Sequence, residues 1–211
     1  MIGATRPAGL KTRLYEHDSV LSSELRVALA PVLTYQRLLS AGNDPTTVGH
    51  YVRALRRPAL VILVIAVMAP IMAVQRVTLE LVATAAVSWS FVVVLQAFVA
   101  IALIANAPSR KLSVPQALDL WFAGHVPYSL WILVAFATMA IAPSGSLRIL
   151  VITAIVPAIW TAFIVAAFCR TVLGATATAA RWRVAAHFVS IWAITLSYIA
   201  WAAGGWFQLL P

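Results

Sequence analysis

Charge is what this sequence has least of. Only 10% of its 211 residues are Asp, Glu, Lys or Arg, and 63% are hydrophobic. Soluble domains average about 25% charged and about 45–50% apolar, so water is not the main solvent of this chain and a lipid bilayer is. Cysteine occurs once, at Cys169, which excludes an intrachain disulfide and a cysteine-based metal or redox centre. The opening residues, MIGATRPAGLKTRLYEHD, lack the apolar core of a cleavable signal peptide. The first hydrophobic span is therefore expected to direct insertion, with nothing removed. Also missing are HExxH, a Gly-rich phosphate loop, Cys/His metal spacing and a nucleophile with a base and an orienting group. Without these, an enzyme has no positive support.

What is present is five long runs free of Asp, Glu, Lys and Arg: residues 59–75, 81–106, 120–142, 149–169 and 184–208. A helix crosses roughly 30 Å of hydrocarbon with about 20 residues. The expected fold class is thus an all-α integral membrane protein, a bundle of about five transmembrane helices. With a cytoplasmic N-terminus, thirteen of the fifteen Lys and Arg fall on the inner side and only Arg76 and Arg148 outside. That asymmetry is what orients membrane proteins, and it places the C-terminal GGWFQLLP outside. It also accounts for the net charge of +9 without nucleic acid as a partner, because the cations flank spans and form no patch on a soluble face. Trp121 with Phe122, and Trp201, Trp206 and Phe207, stand at span edges where aromatic belts form.

Residues 1–57 read as a cytoplasmic or interfacial segment and residues 58–211 as the transmembrane domain. Leu21, Leu25, Leu29, Val32 and Leu39 recur at helical spacing with Arg26 and Arg37 between them. This predicts an amphipathic interfacial helix split in two at Pro31. The stretch NDPTTVGHYVRALRRP predicts another helix, with Asp44 as N-cap and Pro45 in its first turn, before Pro58 restarts the chain as span one. Its basic residues serve as a topology anchor, with docking to anionic lipid or a cytoplasmic partner as the functional alternative. In the loop PSRKLSVPQALDLW, Ser113 is the expected N-cap and Pro115 lies just inside the next helix. The outer connections, VQRVTLE and PSGS, are too short for a folded domain.

No carboxylate or cation lies in the centre of any span, which argues against a pump or an ion-coupled transporter. Asp119, at the inner edge of span three, is expected to pair with Arg181 or Arg183. His125 and His187 enter spans three and five from the same side at similar depth and are expected to face each other. Such a pair is either a hydrogen-bonded packing element or, since two neutral imidazoles can ligate iron, a haem b site. The alternative function is then a haem- or pigment-contacting subunit of a membrane electron-transfer complex; otherwise no cofactor is expected. Gln96, Ser88, Ser90, Thr195 and Ser197 can bridge helices, and Trp131, Trp160 and Trp192 lie deeper than belt positions. Pro127 should kink span three, with Gly124 permitting close helix approach. That kink, with Asp119, His125 and His187, is expected to form a polar pocket facing the cytoplasm.

The segment LSVPQALDLWFAGHVPYSLWILVAFA combines an interfacial Ser–Pro start, a Gly–His step and an early proline. From about Tyr35 to Trp206 the chain resembles the Yip1-domain membrane proteins. The resemblance implies five spans, a cytoplasmic N-terminal region, an outward C-terminus and a non-enzymatic role through protein and lipid contacts. Gly124, Pro127 and Tyr128 fall on the family's third-span motif, and His125 stands where an aromatic is expected. The long acidic or Pro-rich tail of eukaryotic members is missing, so their small-GTPase partnership is not implied. Heavy Ala use and 13 Arg against 2 Lys suggest a GC-rich bacterial genome and hence the plasma, or inner, membrane. The expected role is a scaffold or accessory subunit whose partners are membrane lipids and other membrane proteins.

Overall fold

The computed structural model describes residues 20–40, 48–109, 112–141 and 152–207, and their regular structure is helical throughout. In chain order the helices are α1 (Val20–Leu29), α2 (Pro31–Ser40), α3 (Val48–Val74), α4 (Leu79–Ala105), α5 (Val114–Gly124), α6 (Val126–Ile141), α7 (Ile155–Thr171) and α8 (Ala177–Phe207). Two stretches, Ala54–Val74 and Leu79–Ala105, are long and apolar enough to cross a membrane. A third span results if α5 and α6, bent by 50° at their junction, count as one. α7 is apolar but 17 residues long, and α8 is 31 residues long with Arg181 and Arg183 in its first turns.

α3, α4, α8, α7 and α6 close into a ring of packed neighbours, and α5 lies against α3, α4 and α7. α1 and α2 pack on this bundle, α2 along α7 and α1 against α5 and α6. One core results, and it includes Val27, Ala28 and Tyr35 from the N-terminal helices beside Trp121, Ile164 and Phe168 from the bundle.

The split at Pro31 is as expected: Ala30 separates α1 from α2, and Pro31 occupies the first position of α2, where its missing N–H costs nothing. Of the leucine and valine stripe, Leu39 packs against the core. Leu25, Leu29 and Val32 point outward, Leu29 at 72% exposure, while Val27, Ala28 and Tyr35 are buried. A difference from the expectation lies at Pro58. α3 runs unbroken through Pro58 and Pro70 and therefore crosses the boundary drawn between residues 57 and 58. Both prolines are buried, and packing of α3 on α4, α5 and α6 offsets the roughly 3 kcal/mol that a mid-helix proline costs.

At one end of the bundle the helices interlock. Ser113 caps α5, with Gln116 Oε1 accepting from the Ser113 backbone N–H at 3.2 Å and from its hydroxyl at 2.9 Å, as the sequence predicts. The turn after α7 needs a glycine, since Gly174 has φ +66° and a Cβ there would collide with Ser109 Oγ. Ser109 N–H in turn donates to Leu173 O at 3.4 Å, and Arg183 Nη2 donates to Asn106 O at 2.7 Å. The expected cap at Asp44 and Pro45, the pair Arg110 and Lys111, Arg148, the PSGS connection and the last four residues lie outside the described residues.

Candidate functional site: a buried histidine pair at a broken helix

α5 ends where Pro127 approaches. Proline has no N–H to give the carbonyl four residues back, so the ladder fails at Ala123. The break falls at His125, ahead of the proline, with Pro127 in the first turn of α6. His125 N–H closes α5 on Phe122 O at 3.1 Å, and Ser129 N–H opens α6 on His125 O at 2.9 Å. Pro127 thus kinks the chain as expected, and the bend of 50° falls on the residue between the two helices.

His125 and His187 meet. Their Nε2 atoms are 3.0 Å apart, the rings cross at 77°, and the two residues are 5% and 2% exposed. The tautomers follow from one neighbour. His125 Nδ1 lies 2.8 Å from Trp121 O, and a carbonyl only accepts, so Nδ1 carries the proton. The Nε2 of a neutral His125 is then bare and accepts from His187 Nε2–H. This leaves His187 Nδ1 as a bare acceptor, buried without a hydrogen-bond partner. Trp121 packs on both imidazoles, with ring centroids 5.1 Å from His125 and 4.9 Å from His187, and Phe168 closes the cluster at 5.6 Å from Trp121. Trp121 is therefore a core residue and not part of an aromatic belt.

Three further buried groups, Tyr35 Oη, Trp121 Nε1 and Thr161 Oγ1, have no hydrogen-bond partner among the described residues. Tyr35 meets Phe168 edge-on at 5.9 Å, and burial, reinforced by Cys169, pushes its hydroxyl well above the usual range, so it stays protonated. Gly124 makes the close approach possible: a Cβ there would stand 3.1 Å from Ile164 Cγ2 and 3.5 Å from Tyr35 Oη. Pro127 is buried at the start of α6. Tyr128 lies in an aromatic layer with Trp131 at 5.5 Å and Trp192 at 6.1 Å. Trp131 and Trp160 use their indole N–H groups as ties, to Thr153 Oγ1 at 3.1 Å and to Ala28 O at 2.8 Å.

Asp119 does not join the histidines. It pairs with Arg57 of α3, which also donates to the Asp119 carbonyl at 3.3 Å. The expected partners Arg181 and Arg183 are not used. Six residues separate Asp119 from His125, a rotation of about 240° in α-helical geometry, so Asp119 points at α3 while His125 points at α8. The expected pocket of Asp119, His125 and His187 is thus two separate contacts.

The pair does not fit a haem. Two imidazoles on opposite sides of one metal, each about 2.0–2.1 Å from it, hold their nitrogens about 4 Å apart, whereas these share a hydrogen bond at 3.0 Å. Trp121 lies against both rings where a macrocycle would have to pass. Among the described residues no three of His, Cys, Asp and Glu converge as a metal site. What the arrangement does chemically is lock the α5–α6 break to α8 through one directed hydrogen bond.

No family model, curated protein or solved structure matches this chain. The site stands on its own chemistry. Tyr35 and Thr161 are the members that sequence reasoning missed. Thr161 is a lone hydroxyl in an apolar run, a legible signal, whereas Tyr35 carries no mark until α2 is seen against α7.

Proposed function

We propose that this protein is a non-enzymatic multi-span protein of the bacterial inner membrane, a scaffold or accessory subunit acting through protein and lipid contacts. The carrying observation is the division of groups between core and outer faces. The two histidines are turned inward and engage each other, while large apolar side chains such as Leu79, Val87 and Phe163 point outward, Phe163 at 70% exposure. Outward apolar helix faces are contact surfaces for lipid and for other membrane helices. The role agrees with what the resemblance to Yip1-domain proteins implies.

In this reading α3, α4, the broken α5–α6, α7 and α8 make five spans, with α1 and α2 held at the inner interface. The N-terminus is cytoplasmic and the C-terminus outside. The charge distribution supports it: Arg57 lies near the start of the apolar stretch of α3, Arg170 in the last turn of α7 and Arg181 near the start of α8, with Arg76 in the α3–α4 connection at the other side.

The test is a reduced-minus-oxidised absorption spectrum of the gently solubilised protein, with identification of what co-purifies. A colourless preparation carrying stoichiometric membrane partners is expected. A Soret band lost on His125→Leu or His187→Leu overturns the proposal in favour of an electron-transfer subunit.

A further inference from the structure

α7 and α8 run antiparallel across the short turn that Gly174 makes, and between them lies an open groove of ≈ 420 Å³. Its floor is made by small residues one helical turn apart, Ala162 and Ala166 on α7 facing Ala185 on α8, with Phe163 and Phe188 as walls. The spacing on each helix, three and four residues, puts these side chains on one stripe, so the groove is a property of the sequence pattern and not of one rotamer. Its lining has no acidic residue. At the end nearest the turn stands Arg181, which has no hydrogen-bond or ion-pair partner among the described residues, unlike Arg183, which donates to Asn106 O. The next residue, Trp182, is 72% exposed, as an indole at headgroup depth is.

An open apolar groove with an arginine at one end is complementary to one kind of molecule. We infer that the groove between α7 and α8 binds an anionic phospholipid, one acyl chain lying over Ala162, Ala166 and Ala185 and the phosphate meeting Arg181. A second copy of the chain is a poorer occupant, because symmetry would bring two Arg181 side chains together in a protein of net charge +9. An anionic lipid brings its charge to the place where the bilayer already keeps it. The inference rests on the reading that α7 and α8 span the membrane with the turn between them on the inner side, and it specifies one of the lipid contacts proposed above.

The experiment is native mass spectrometry of the full chain in detergent, titrated with phosphatidylglycerol in competition with phosphatidylcholine of the same chains. The wild type is expected to retain one phosphatidylglycerol in preference to phosphatidylcholine by about five-fold, the effect of one interfacial arginine on an anionic headgroup. Arg181→Gln should abolish the preference and Arg181→Lys keep it, while Arg76→Gln, at the opposite end of the helices, should leave it intact. Ala166→Leu, which fills the groove, should lower retention of both lipids. Equal retention of the two lipids by the wild type, or an undiminished preference in Arg181→Gln, overturns the inference. Dimers that Ala166→Leu dissolves, without lipid preference in the wild type, assign the groove to a second copy and overturn it too. These results are separable from the spectrum: a colourless protein with partners but no lipid preference leaves the scaffold reading standing, and a haem-coloured one with the preference leaves the groove standing.

Discussion

The proton between His125 and His187 belongs to His187. With His125 Nδ1–H committed to Trp121 O at 2.8 Å, its Nε2 can only receive, and the 3.0 Å contact is a bond directed from α8 to the broken span. The two residues should therefore behave as a unit. His125→Leu strands the His187 N–H in a buried place, which costs about 1–3 kcal/mol. Replacing both by leucine should cost less than the sum of the single changes, because no polar group is then left stranded. Thermal unfolding of the two single variants and the double variant in detergent checks this, and strict additivity would show that the pair is not coupled.

Gly124 lies at the point where α5, α7 and Tyr35 converge. Gly124→Ala puts a methyl 3.1 Å from Ile164 Cγ2, and overpacking of this kind costs about 1–3 kcal/mol. Ile164→Ala removes the opposing Cγ2, so Gly124→Ala should cost less stability in that background than in the wild type. If Gly124→Ala is stabilising by itself, α5 is not pressed on α7 as described.

Asp119 and Arg57 make a half-buried pair with side chains 22% and 16% exposed. Pairs at this exposure are worth at most about 1 kcal/mol and are weakened by salt. Asp119→Asn should thus lower the melting temperature slightly, with a difference that narrows at high ionic strength. The same change made in an Arg57→Gln background should have no further effect, whereas in an Arg181→Gln or Arg183→Gln background it should act in full. Coupling to Arg181 or Arg183 would restore the pairing expected from the sequence.

Orientation can be read with one thiol. Cys169 is buried, and in a Cys169→Ala background Thr178→Cys, exposed at the start of α8, and Val77→Cys, exposed between α3 and α4, report opposite sides. A membrane-impermeant maleimide should label Val77→Cys in intact cells and Thr178→Cys only after permeabilisation. The reverse pattern would invert the topology.

The parts of this fold that were legible in the sequence are those set by the backbone. Pro31 had to begin a helix, Ser113 and Gln116 had to cap one, and runs such as 81–106 had to be helical in a bilayer because nothing else satisfies the backbone there. The meeting of His125 and His187 was legible too, since two imidazoles at equal depth have few other partners. Which face of a helix turns inward was not. In water a leucine stripe marks the core, but in lipid it marks either side, and α1 and α2 bury Val27, Ala28 and Tyr35 while Leu25 and Leu29 face out. The partner of Asp119 was hidden for a related reason: Arg57, Arg181 and Arg183 are equivalent by depth, and only the packing of α5 on α3 selects among them.

Gly174 binds together elements that are far apart in the chain. Because the Ser109 side chain fills the space its missing Cβ leaves, and Ser109 N–H reaches Leu173 O, the turn joining α7 to α8 also sets where α4 stops. A side chain at position 174 would be strained by the positive φ of its own turn and would also press on Ser109, reaching the segment that carries Asn106, the anchor of Arg183.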